Sequence, residues 1–118
     1  MNLETQPNEK RCRFTRETHV LAVEDCCPVS RNPRPGSTIR ISYIPGAVLL
    51  EVAALFAYVA SYRGGLGDVR SMEGMVQQIA QDCANIAGAR VDVVADLIIE
   101  PSQRMITECN AYPKHTTP

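Results

Sequence analysis

Apolar and polar residues alternate most cleanly over 37–44, where Ile39, Ile41 and Tyr43 fall on one side and Thr38, Arg40 and Ser42 on the other. A period of two marks a strand with one buried face. Residues 90–100 repeat the pattern, with Val91, Val93, Ala95, Leu97 and Ile99 on a common face. Weaker alternation predicts a first strand within 12–23, facing inward through Phe14, Thr18, Val20 and Ala22, and a last strand over 103–111. Between these pairs the period changes. Leu49 to Tyr62 carries only Glu51 and Ser61 as strongly polar residues, which predicts a helix buried on most sides. Met72, Met75, Val76, Ile79, Cys83, Ile86 and Ala87 form one stripe at helical spacing, with Ser71 placed to cap its start and Gly88 to end it.

Breakers separate these elements. Residues 24–36 hold Pro28, Pro33, Pro35 and Gly36, Pro45-Gly46 ends the clearest strand, and the run 63–67 is glycine-rich. The polar start, 1–11, and the end, 113–118, read as flexible tails. The expected architecture is therefore α+β, one domain over 1–118 in the order ββααββ, with a four-stranded antiparallel sheet carrying two helices on one face. Such a sheet has two open edges, which closure into a ring of copies would remove.

Composition narrows the function classes. A chain of 118 residues is one domain, and 45% hydrophobic content is enough for a core. A net charge of −1 gives no strong pull toward nucleic acid or acidic lipid. The longest apolar stretch, Ala47 to Tyr62, falls short of the roughly 20 residues that span a bilayer. The start has no apolar segment of the signal-peptide kind, so no membrane association and a cytoplasmic location are expected. Five cysteines, at 12, 26, 27, 83 and 109, form no CxxC pair, and His19 and His115 are not at ligand spacing, so no metal is expected.

Few residues stand out for chemistry. Cys27 lies in the proline-rich loop with Arg31 and Arg34 close by in sequence, a setting that could favour a thiolate, although a free cysteine is often only a small hydrophobe. Glu73 at a helix start could accept two parallel hydrogen bonds from a guanine-like edge, or simply complement the helix dipole. Glu51, alone among apolar residues, is either a costly buried charge or a first-turn residue facing water. The 63–67 loop follows no strand and does not suit a phosphate cradle. Arg11, Arg13 and Arg16 could touch phosphate or form a solvated strand face.

Four segments together carry a resemblance: Cys27-Pro28-Val29-Ser30, the strand ending Tyr43-Ile44-Pro45, Glu51 six residues on, and Ser61-Tyr62-Arg63. Over about residues 24–112 the chain resembles the queuosine-pathway nitrile reductases, the QueF family. The resemblance implies a tunnelling fold (T-fold) and the substrate 7-cyano-7-deazaguanine, free or within tRNA or DNA. It implies that Cys27 attacks the nitrile carbon to form a thioimide and that Glu73, preceded by Met72, grips the base edge. Leu50, Glu51 and Val52 would line the substrate. It also implies a homo-pentamer or homo-decamer whose pocket takes Cys27 and Glu73 from different chains.

The sequence departs from that family in three places. The lysines that serve the nicotinamide phosphates are missing from Glu51 to Ala57. The general-acid Asp is replaced by Arg34, leaving Asp25 or Glu24 to support proton transfer and Arg34 to support the thiolate. The His before the substrate Glu is Met72. The missing lysines resemble the short QueF-like amidinotransferases, which use ammonia in place of hydride and form the amidine of archaeosine. That implies no cofactor, with NADPH needed only if the chain is a nitrile reductase with a rewired cofactor site. A deazaguanine-binding protein without turnover is the third reading.

Overall fold

Strands with the clearest alternation end up in the middle of the sheet, where both neighbours can hydrogen-bond them. In the computed structural model, which describes residues 3–10 and 13–114, these are β3 (Thr38–Tyr43) and β5 (Val91–Ile99). For this description β1 is Thr5–Pro7, β2 Glu17–Ala22 and β4 Val48–Leu50; α1 is Val52–Ala60, α2 Met72–Ala87 and β6 Gln103–Ala111. β3 and β5 run antiparallel with Ile41 opposite Val93 and Tyr43 opposite Val91. β2 joins the other side of β3 and β6 the other side of β5, giving one four-stranded sheet in the order β2-β3-β5-β6. The fold is α+β. Its core lies between the buried sheet face (Ile39, Ile41, Tyr43, Val91, Val93, Ala95, Leu97) and residues of both helices, among them Leu55, Tyr58, Met75 and Ile79.

α2 forms where its stripe predicts. Ser71 caps it by accepting from the Gly74 amide at 3.0 Å, and Gly88 ends it in the left-handed conformation, where a residue without a Cβ is strain-free. α1 is bound to α2 by polar contacts inside the core. The Tyr58 hydroxyl donates to Asp82 at 2.5 Å and meets the Tyr62 hydroxyl at 2.9 Å, and burial pushes the Tyr58 pKa far above its ordinary value.

Several expectations are overturned. Within the expected 1–11 tail, Thr5–Pro7 pairs with Val48–Leu50 as a second, two-stranded sheet, so the order is ββββααββ. The predicted helix over 49–62 therefore starts late, after Leu50 has been drawn into β4. It is also half-exposed rather than buried on most sides, with Val52 65% and Phe56 64% exposed. The C-terminal end is not wholly loose either, since the Lys114 amide donates to Asn85 and Gln81 donates to the Tyr112 carbonyl. Arg11, Cys12 and residues 115–118, with His115, lie outside the described residues.

The first strand keeps its place but turns over. Thr18, Val20 and Ala22 are exposed, while Glu17, His19 and Leu21 face inward. The reason is polar. The Glu17 carboxylate accepts from the Tyr43 hydroxyl at 3.0 Å and sits 3.0 Å from His19 Nε2, so these inward groups are satisfied. Among the described residues no helix is long and apolar enough to cross a membrane.

The two faces differ in what a truncation costs. Ile41→Ala, at a position 0% exposed, is expected to lose about 2–5 kcal/mol. Val20→Ala should stay within about 0.5 kcal/mol. Urea denaturation measures both, and equal losses would contradict the placement of β2.

Candidate active site around Cys27

The loop from β2 to β3 is closed by its own backbone. The Asn32 carbonyl accepts from the amides of both Cys26 and Cys27, at 3.0 and 2.9 Å, and the Pro33 carbonyl accepts from the Asp25 amide at 2.7 Å. Arg31 grips Asp25 through two bonds of 2.7 and 2.9 Å, which holds the Asp25 carboxyl below its ordinary range. Buried Asn32 also accepts, through its side chain, from the Glu100 amide at the end of β5. The loop is thus fixed to the sheet as well as to itself.

Cys27 heads a single tight turn. The Arg31 amide donates to the Cys27 carbonyl at 2.8 Å, and Pro28 occupies the next position, where it has no amide to leave unsatisfied. The free amides that follow face the sulfur, with Ser30 N 3.5 Å from Cys27 Sγ. The Ser30 hydroxyl, then the Ser30 and Val29 amides, lower the Cys27 thiol pKa, and the charge of Arg70 adds to this. Cys26 is its opposite. It is buried, its thiol points at the Ser71 carbonyl 3.6 Å away, and burial raises its pKa. The amides of both cysteines are tied to one carbonyl, yet the Cys26 thiol is packed against the start of α2 while the Cys27 thiol stays with its own turn.

The other predicted residues are distributed as follows. The Cys26–Ser71 contact brings the start of α2 against the Cys27 loop within one chain, and exposed Glu73 and half-buried Met72 lie in that first turn. Arg34 lies on the same loop as the thiol. Its Nη2 donates to the Ser30 carbonyl at 3.3 Å, and the charge of Arg70 adds to the lowering of the Cys27 pKa. Glu24 pairs with Arg63. Glu51 is the N-cap of α1: its two oxygens accept from Ala54 at 2.6 Å and Ala53 at 3.0 Å, which lowers its pKa. Leu50 is buried and Val52 exposed on either side of it. Asn32 and Arg70 were not singled out from the sequence, and Ser30 entered only as the end of the Cys-Pro-Val-Ser run, with no role given to it. The one available hint was proline directly after cysteine, the signature of a turn that starts at the thiol.

Two measurements follow. Iodoacetamide should alkylate Cys27 ahead of Cys26 at neutral pH, with peptide mass spectrometry locating the label. Ser30→Ala should move the pH midpoint of that reaction upward, since the donor lost is the largest contributor to the lowered thiol pKa. Glu51 adds stability above the ordinary glutamate value of 4.5, and the gain disappears as pH falls through its lower folded value. Glu51→Gln should therefore melt below the wild type at neutral pH and level with it in acid.

Set against known proteins, the chain matches no protein-family model and no curated protein sequence.

Proposed function

We propose that the chain is a QueF-like amidinotransferase that converts the nitrile of 7-cyano-7-deazaguanine to an amidine. The observation that carries this reading is the Cys27 thiol, held at the head of a turn whose donors favour its thiolate. The Cys-Pro-Val-Ser resemblance supplies the substrate. The lack of any charged residue in Val52–Ala60 favours ammonia over hydride, because a nicotinamide cofactor brings several phosphate charges.

In this mechanism the Cys27 thiolate adds to the nitrile carbon and the nitrile nitrogen takes up a proton, giving a thioimide. Ammonia adds to the same carbon. The C–S bond of the tetrahedral centre then breaks, the thiolate leaves, and an amidine remains; one ammonia is consumed and nothing is oxidised or reduced. Asp25, with both oxygens held by Arg31 and its pKa lowered, is a weaker base than a free carboxylate, and its part is to fix the loop that carries Cys27. Glu73, exposed at the α2 start that abuts the Cys27 loop, is the group to hold the base edge. The sheet with its two helices would be a T-fold decorated by the β1-β4 ribbon. The open edges of β2 and β6 are where copies would join into a ring of five or two such rings.

Intact-protein mass after incubation with the nitrile base tests the reading directly. Wild type and Cys26→Ala should carry the adduct and Cys27→Ala should not. Ammonium salts should release a product about 17 Da heavier than the nitrile, with NADPH absorbance flat. NADPH consumption would restore the reductase, and an adduct that ammonium never discharges would leave a binding protein. Glu73→Gln should weaken base binding about tenfold, since an amide offers one acceptor to two donors. A stable monomer in light scattering at micromolar concentration would rule out the ring.

A further inference from the structure

The connection from α1 to α2, with Gly64, Gly65 and Gly67 in it, has the composition of a plain linker, yet it is stitched to the Cys27 loop at both ends. At its start the Gly64 amide donates to the Asp25 carbonyl at 2.6 Å, and at its end the Ser71 carbonyl accepts from the Cys26 thiol at 3.6 Å. Between these points it folds on itself. Leu66 and Val69 exchange amide-to-carbonyl bonds of 3.0 and 2.9 Å, and the Gly65 amide donates to the Tyr62 carbonyl at 2.9 Å. This closure fixes where the chain delivers the next residue, Arg70.

Gly65 marks the place. Its φ is +92°, in the region that favours glycine, and a Cβ there would lie 3.6 Å from Arg70 Cγ and 3.8 Å from the Cys26 carbonyl oxygen. The Arg70 stem and the peptide that joins Cys26 to Cys27 therefore lie against the same bare α-carbon. Arg70 also keeps its charge uncompensated. Arg31 is paired with Asp25, Arg63 with Glu24, and Arg34 donates to the Ser30 carbonyl. Arg70 is exposed and makes no ion pair or hydrogen bond among the described residues; neither Asp68 on its own connection nor Glu73 in the first turn of α2 closes on it. The Ser30 hydroxyl and the turn amides do most to lower the Cys27 thiol pKa, and the charge of Arg70 adds to them.

We infer that Arg70 is a positioning residue for the nucleophile: carried on the stitched connection between the helices, its guanidinium holds the Cys27 thiolate from outside the turn. The inference rests on the proposed nitrile chemistry only for its purpose. A thiolate held by a cation is present at neutral pH to add to the nitrile carbon, and it leaves as the same stabilised anion when the tetrahedral centre collapses.

Alkylation of Cys27 in the intact protein, located by peptide mass spectrometry, tests this without any nitrile base. In the wild type the anionic reagent iodoacetate should gain on neutral iodoacetamide as salt is lowered, because salt screens an exposed cation. Arg70→Gln should lower the iodoacetate-to-iodoacetamide rate ratio about threefold at low salt and flatten its salt dependence. It should also raise the pH midpoint of the iodoacetamide reaction by about 0.5 unit. Arg70→Lys, which keeps the charge without the fork, should retain most of both effects. Arg16→Gln, at an exposed pair with Asp92, should change neither. Equal ratios and midpoints in wild type and Arg70→Gln would overturn the inference. So would a moved midpoint with an unmoved reagent ratio, the mark of a purely structural role, or a loss in Arg70→Lys as large as in Arg70→Gln. A Cys27 adduct with the nitrile base, alongside alkylation indifferent to Arg70, defeats this inference alone. Arg70-dependent alkylation without any nitrile adduct defeats the nitrile chemistry alone.

Discussion

Tyr43 is buried at the end of a central strand, and its hydroxyl must find partners there because water cannot supply them. It accepts from the Leu50 amide at 2.7 Å and donates to Glu17 at 3.0 Å. Burial, opposed by the Leu50 bond, raises its pKa to about 12, so it stays a neutral donor. That single group joins β2, β3 and β4. It turns Glu17 and His19 inward, with the His19 ring stacked on Tyr43, and leaves Val20 outside. It also fixes Leu50 as the last residue of β4, so that Glu51 arrives extended and free to cap α1. The position of the first helix is thereby set from the sheet.

The Cys27 loop is built on the same logic with backbone groups. One carbonyl, that of Asn32, collects two amides, and one side-chain fork, Arg31 on Asp25, closes the circuit. Two groups of the loop stand apart from that network: the thiol, with turn donors aimed at it, and the buried Nε of Arg34, which has no acceptor. A loop that satisfies itself so completely elsewhere leaves its chemistry where the free groups are.

The parts legible in the sequence were those set by periodicity and punctuation. β3, β5 and α2 each bury one regular face, and Ser71 and Gly88 mark the ends of α2 through local geometry alone. The misread parts depend on distant partners. Nothing in Glu17 or His19 reveals that Tyr43 will donate to Glu17 and that Glu17 will in turn partner His19, so the more apolar side of β2 looked like the inside. Thr5–Pro7 is too short and polar to announce a strand without β4 beside it. At the site, Cys27 was legible through its proline. Nearness in sequence pointed to Arg34 alone, whereas the charge of Arg70, forty-odd positions away along the chain, lowers the thiol pKa.

The pairing of β3 with β5 also governs how the chain reaches this state. The outer pairs, β2 with β3 and β5 with β6, join segments that are neighbours in sequence, and the tight Glu100–Ser102 connection needs little chain to close. The central pair instead joins segments with both helices between them. Two hairpins can therefore gather early, but the sheet cannot exist until they meet. That encounter carries the larger loop-closure entropy, and it is the slow step expected of a topology whose middle is assembled last.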